Sequence, residues 1–281
     1  YQKATYYETT RLASYMDYEA MEFTPEIAVA LDTMSEESCT LNEQGQIVNS
    51  KLILNKPKEF GFKLIKLKCG VSLEDDKRRL KLARDAIGPD VKLAIDANQV
   101  WDVNEAINWI NALGDVNLHW VEEPTNPDDA VGHAAIAKAI APVKVATGEH
   151  VTNRIIFKQM MQSKSLSFVQ IDASRVAGVN ENIAIILMAA KFGVPVCPHA
   201  GGVGLCELVQ HLAMFDAVAV TGHHAERVVE FVDHLHEHFV VPTNIQNAHY
   251  MPPSEPGAGG EMYAQSIADF TFPTGKEWAN A

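Results

Sequence analysis

The run FKLIKLKCG (62–70), followed by VKLAIDAN (91–98), LHWVEEP (118–124), VKVATGEH (143–150), SFVQIDAS (167–174) and GVPVCPHA (193–200), decides the fold. Each run is short, apolar and β-prone, and each is followed by a longer segment of helical period. The intervening segments, among them SLEDDKRRLKLARDAIG, VNEAINWINALG and NENIAIILMAAKFG, open near a capping Ser, Asp or Asn and close near Gly. Repeated strand-then-helix units of this kind predict parallel βαβ connections. DAVAVTG (216–222) reads as a seventh strand. A length of 281 residues suits one (β/α)8 TIM-type barrel, which runs to about 250 residues.

Strands buried on both faces of a parallel sheet normally read as continuous Val, Ile and Leu. Here each run ends instead in a polar or ionisable residue: Lys68, Asp96, Glu122, Glu149, Asp172 and His199. Their spacings of 28, 26, 27, 23 and 27 residues are one βα unit each, and Glu230 follows 31 residues after His199. The series is therefore expected to share one rim. In a barrel that is the C-terminal face, where active sites are built. Outward from this core, residues 1–60 read as an N-terminal segment holding a first barrel unit, 61–240 as the barrel with its catalytic rim, and 241–281 as a Pro- and Gly-rich surface tail.

Apolar residues make up 47% and charged residues 21% of the chain, which marks a core-forming globule. With 36 acidic against 23 basic residues, a net charge of -13 would repel a phosphate backbone, so nucleic acid is not an expected partner. No apolar run approaches the roughly 20 residues of a membrane span, and the opening YQKATYYETT lacks the order of a secretory signal. The four cysteines form no CxxC pair and read as reduced. The expected compartment is the cytoplasm or, after trimming of a transit peptide, the mitochondrial matrix. A homo-oligomer is compatible with this composition.

Asp96, Glu122 and Glu149 stand at three consecutive strand ends. Taken singly, each is explained by a helix N-terminus that favours negative charge. Three in register repel one another unless a cation neutralises them, and all-oxygen ligation favours Mg²⁺. Lys66 and Lys68 lie two apart, so both side chains project from one face of a strand, where each is expected to depress the other's pKa and leave a neutral amine able to act as a base. Asp172 and His199 end neighbouring strands, so the carboxylate can fix the imidazole tautomer. GGVG (201–204) reads as the turn after His199 rather than a phosphate loop, since it lacks the Lys-Ser/Thr of a P-loop. The alternating His234, His236 and His238 read as a strand end.

The order KxK, D-A-N, E-E-P, G-E, I-D and P-H-A-G-G-V-G resembles the mandelate racemase group of the enolase superfamily, and within it the dehydratases of L-fuconate type. The resemblance covers about residues 61–281. It implies Asp96, Glu122 and Glu149 on Mg²⁺, Lys68 as base with Lys66 beside it, Asp172 and His199 as the second acid/base, and Glu230 in the catalytic group. Lys66, Asn98 and Glu230 would face the substrate. The implied reaction is proton removal α to a carboxylate and loss of a β-hydroxyl, giving a 2-keto-3-deoxy acid from a small sugar acid. Enolase-superfamily sites with a Lys or His base and Mg²⁺ are an established pattern. The alternatives are a racemase or epimerase using the same enediolate chemistry, or an inactive barrel with a binding role. Family members carry an N-terminal capping domain, and residues 1–60 do not resemble it.

Overall fold

The computed structural model describes residues 61–223, 227–232 and 235–278. The first-barrel-unit reading of residues 1–60, Cys39 and His234 fall outside the described residues. From residue 61 onward, strand and helix alternate: β1 (Leu64–Lys68), α1 (Leu73–Ile87), β2 (Lys92–Asp96), α2 (Val103–Leu113), β3 (Leu118–Glu122), α3 (Ala130–Ala139), β4 (Lys144–Thr147), α4 (Arg154–Ser163), β5 (Phe168–Val169), α5 (Val179–Phe192) and α6 (Leu205–Phe215). The five strands are parallel and lie in sequence order, β1-β2-β3-β4-β5. This is the winding of a TIM-type barrel.

The helices start where the sequence supplies caps. The side chains of Ser72, Asp102, Asp129 and Asn153 accept backbone N–H bonds at the first turns of α1 to α4. α5 ends at Gly193, whose φ of 69° favours a residue without a Cβ.

Side-chain parity splits the strands into two faces. Ile65, Leu67, Leu93, Ile95, Val121 and Val145 pack outward against Leu80, Ile110 and Ile136 of the covering helices. Leu64, Ala94, Trp120, Ala146, Phe168 and Cys197 form a separate inner cluster that fills the barrel. Lys66, Lys68, Asp96 and Glu122 share the inner parity, one or two pleats further along. Pairing of Lys68 with Asp96, and of Asp96 with Glu122, sets them level across three strands.

The sixth run, GVPVCPHA, contributes parallel bridges from Val196 to Val169 and from His199 to Asp172 in place of a full ladder. Pro195 and Pro198 explain this, since neither has an N–H to donate. The seventh run corrects the sequence expectation. DAVAVTG is not a strand: α6 continues into a wider π-type turn over Asp216–Thr221, where the Thr221 hydroxyl donates back to the Asp216 carbonyl at 3.0 Å. A short apolar run fits a buried helical segment as well as a strand, and here contact with α6 and α5 decides. The chain returns to the barrel later, where the Glu230 N–H donates to the Pro198 carbonyl at 3.1 Å and Val228 packs on the inner cluster. His236 and His238 likewise belong to a single 3₁₀ turn rather than a strand end. Beyond it lie a two-stranded hairpin, β6 (Ile245–Gln246) and β7 (His249–Tyr250), and a short helix, α7 (Ala264–Phe270). The Tyr250 hydroxyl ties this tail to the barrel by donating to the Glu230 carbonyl at 2.5 Å.

Candidate active site

All the rim residues expected from the spacing converge on the C-terminal end of the strands. Asp96 ends β2 and Glu122 ends β3, both almost fully buried. Glu149 follows β4 and breaks the parity of its strand. Gly148 makes that possible: its φ of +140° turns the chain in a space where a Cβ would come within 2.7 Å of the Phe157 ring and 2.8 Å of the Gln170 carbonyl. Asp96, Glu122 and Glu149 each offer an oxygen, and the three atoms lie within 4.8 Å of one another.

Two lysines enter this cluster from β1. The Lys66 ammonium, 1% exposed, contacts Glu122 and lies 2.8 Å from Glu230 Oε1 and 3.5 Å from Asp96 Oδ2. Lys68 Nζ is 2.6 Å from Asp96 Oδ2. Opposite them, His199 Nδ1 lies 2.8 Å from Asp172 Oδ2, and its Nε2 is 3.5 Å from Glu149 and 3.7 Å from Glu230. The Ser174 and Arg175 N–H groups hold Asp172 Oδ1 at 2.7 and 2.9 Å, and the Ala200 N–H holds Glu230 Oε2 at 2.7 Å. Asn98 turns back on the cluster: its backbone N–H donates to Asp96 Oδ1 at 2.9 Å and its amide reaches Oδ2 at 3.4 Å. It therefore helps to hold Asp96 in place.

Burial dominates the electrostatics of the raised acids, and like charges add to it. Burial, reinforced by Asp96, Glu230 and Glu149 against the pull of Lys66, pushes Glu122 up to about 8. Burial pushes Glu149 up to about 7 although His199 opposes it. Asp96 goes the other way, since Lys68 and Lys66 outweigh its burial. These acids carry more negative charge than two ammonium groups neutralise comfortably, and their donors are all oxygens. That donor set fits a hard divalent cation, which Asp96, Glu122 and Glu149 would hold.

The expectation that the paired lysines depress each other is corrected for Lys66. Burial does pull its pKa down, but Glu122, Glu230 and Asp96 outweigh burial and hold the ammonium well above its ordinary value. Its carboxylate neighbours therefore favour the charged form. His199 follows the same logic: burial opposes protonation, but Glu149, Glu230 and Asp172 raise it to about 10.

Two supporting groups escaped the sequence reading. Gln170, two residues before Asp172 on β5's inner parity, donates from Nε2 to Glu122 Oε2 at 2.6 Å. Its place in VQID was the available signal. Glu123, with a φ of 41°, lies between Gln99 Nε2 at 2.9 Å and His150 Nδ1 at 2.6 Å. It backs the rim beneath Glu149.

A parallel barrel whose C-terminal rim carries three converging carboxylates, a strand-borne lysine pair and a facing His-Asp pair is the architecture of an enolase-type enzyme. Residues 54–266 match the family described as enolase C-terminal domain-like, and the chain belongs to the enolase superfamily. Among curated relatives, human mitochondrial enolase superfamily member 1 is 53% identical over 220 residues, covering 78% of this chain and 50% of its own length. Its crystal structure superposes with a TM-score of 0.82 at 44% identity, over 99% of this chain and 61% of that one. L-galactonate dehydratase of Hypocrea jecorina is 46% identical over 227 residues, 79% of this chain and 50% of its own length. The chain thus spans about half the length of the curated relatives it matches. The L-talarate dehydratase of Polaromonas sp. JS666, solved with Mg and L-glucarate, has a TM-score of 0.65 at 28% identity, over 76% of this chain and 57% of that one.

Proposed function

We propose that this barrel dehydrates a sugar acid, L-fuconate or a close aldonate, to the 2-keto-3-deoxy acid, with Mg²⁺ held by Asp96, Glu122 and Glu149. The observation that carries the reading is the placement of Lys68 on one side of the carboxylate cluster and the His199–Asp172 pair on the other. Bound there, Mg²⁺ would supply positive charge facing the substrate carboxylate as negative charge builds on it.

Lys66, kept cationic by its neighbours, adds to that stabilisation. Lys68 takes the proton from C2 onto Nζ; its partner Asp96 is the group a metal would draw away from it. His199 then gives its proton to the C3 hydroxyl as the C3–O bond breaks and water leaves. The resulting enol ketonises to the keto acid. Asp172 keeps the imidazole oriented throughout. Asn98 and Gln170 position Asp96 and Glu122. Glu230, paired with Lys66, sets the charge at the substrate-facing side.

The Gly201 N–H lies 3.2 Å from His199 Nε2, a contact that only the neutral ring accepts, so the pocket accommodates both protonation states of a working acid/base. That same contact favours a second reading, racemisation, in which His199 exchanges a proton with the opposite face of C2. The name of the human relative supports a mitochondrial setting.

The test is incubation with Mg²⁺ and a panel of sugar acids, for this chain and for a longer form extended upstream, with semicarbazide absorbance reporting keto acid. Keto acid from L-fuconate or a near epimer supports the reading. Inversion at C2 without keto acid replaces it with the racemase, and absence of both from either form overturns enzymatic function on this substrate class.

A further inference from the structure

The opposite end of the barrel carries the reverse charge pattern. A cavity of about 520 Å³ opens at the N-terminal ends of the strands, lined by Lys92, His119, Lys144, Phe168, His223 and Arg227 among others. These residues come from the starts of β2, β3, β4 and β5 and from the two segments that follow α6. No carboxylate is among the described residues that line it, in a chain whose net charge is -13.

Lys92 and Lys144 have no carboxylate at ion-pair distance among the described residues. Lys144 instead rests over the Phe168 ring, 5.2 Å from its centroid, and the His119 ring stands 5.5 Å from the same ring. Arg227 reaches Asp216 only at 3.5 Å. The positive potential is registered by His119 itself: burial first, then Lys92 and Lys144, hold its imidazole down at about 4. A neutral imidazole is a hydrogen-bond donor that adds no further repulsion.

Cations gathered around one concave mouth repel unless something anionic sits between them. The volume lies within the range of small-molecule sites and exceeds what a bare oxyanion fills, leaving room for an organic remainder against Phe168. We propose that this mouth binds a small molecule bearing a phosphate group, held by Lys92, Lys144 and Arg227 with His119 beside them. The site is separate from the acidic rim and independent of the reaction proposed there.

Inorganic phosphate is the probe, titrated calorimetrically at low ionic strength into protein freed of divalent ions on a chelating resin. Saturable binding at one site is expected. Lys144→Met and Lys92→Met should each weaken it at least about tenfold, equivalent to about 1.4 kcal/mol. Lys144→Arg should retain it, and Lys68→Met, at the far rim, should leave the dissociation constant within about twofold. Both lysines are exposed, so unfolding temperatures without phosphate should be unchanged. If a variant nevertheless fails to fold, ring resonances of His119 in the unmodified protein decide, since phosphate should shift them. No saturable binding, unmoved His119 resonances, or loss of binding in Lys68→Met alone would overturn the proposal. Failure of phosphate to bind, with Lys144→Met lowering stability, would assign the mouth to an acidic segment of the chain itself.

Discussion

Glu122 is held on two sides: it touches Lys66, accepts from Gln170 and shares a cluster with Asp96 and Glu149. Burial, reinforced by its like-charged neighbours, pushes Glu122 up to about 8; a divalent ion would offset both, so Mg²⁺ should raise the melting temperature, and Glu122→Gln should remove most of that rise. An undiminished Mg²⁺ response in the variant would displace Glu122 from the metal site. Lys68→Ala should lower turnover and exchange of the substrate α-proton with D₂O by about 10²–10⁴-fold, the usual contribution of a positioned base. Exchange at the unmodified rate would move the base elsewhere. Gln170→Leu strips Glu122 of a buried donor and should shrink the Mg²⁺-induced stabilisation even though Gln170 is no ligand. An unchanged Mg²⁺ titration would make it a packing residue only. The three clustered acids were legible because each stands at or just beyond a strand end, one βα unit from the last. Gln170 was not, since its partner lies 48 residues away across an intervening strand.

The strand-to-helix turns do the aiming. After β4 the chain departs from alternating parity, and Gly148, at φ +140° and wedged between the Phe157 ring and the Gln170 carbonyl, directs Glu149 to the cluster. Gly148→Ala combines a strained backbone with overpacking and should cost about 1–3 kcal/mol in urea unfolding, with loss of the Mg²⁺ response. A stable variant with unaltered Mg²⁺ binding would show that Glu149 is aimed by its own contacts. Strand and helix identities from β1 to α6 followed from periodicity, with capping residues marking the starts of α1 to α4. DAVAVTG did not, because Ala and Val packed on a preceding helix satisfy either period and the choice rests on neighbours.

Among the described residues, the carboxylate cluster with its paired lysines lies at one end of the barrel axis and a cavity lined by cations without a carboxylate lies at the other. One consequence is a pH dependence. His119 titrates near 4 in the folded chain against an ordinary 6.5, so the unfolded chain binds its proton first as pH falls. Stability from this group is intact above pH 6.5 and is lost progressively toward pH 4. His119→Gln should therefore lose less melting temperature between pH 7 and pH 4.5 than the unmodified protein does. An equal loss in both would place the acid sensitivity in other groups.

The sequence by itself determined the parallel winding and the level of the rim, because one-unit spacing of the strands is a property of the chain; Glu149, which departs from strand parity, reaches the cluster through the turn at Gly148. It also brought three carboxylates into register, a donor set that fits a cation. Only the tertiary structure decided which amine stays charged. Lys66 and Glu122 are 56 residues apart in the chain, and whether an ammonium is depressed by another lysine or held up by carboxylates depends on which of them reaches it first in a medium without water to screen the difference. The same reason applies to His199 and to the cationic mouth: burial and through-space charge act between strands brought together by folding, and neither has a local signature in the sequence.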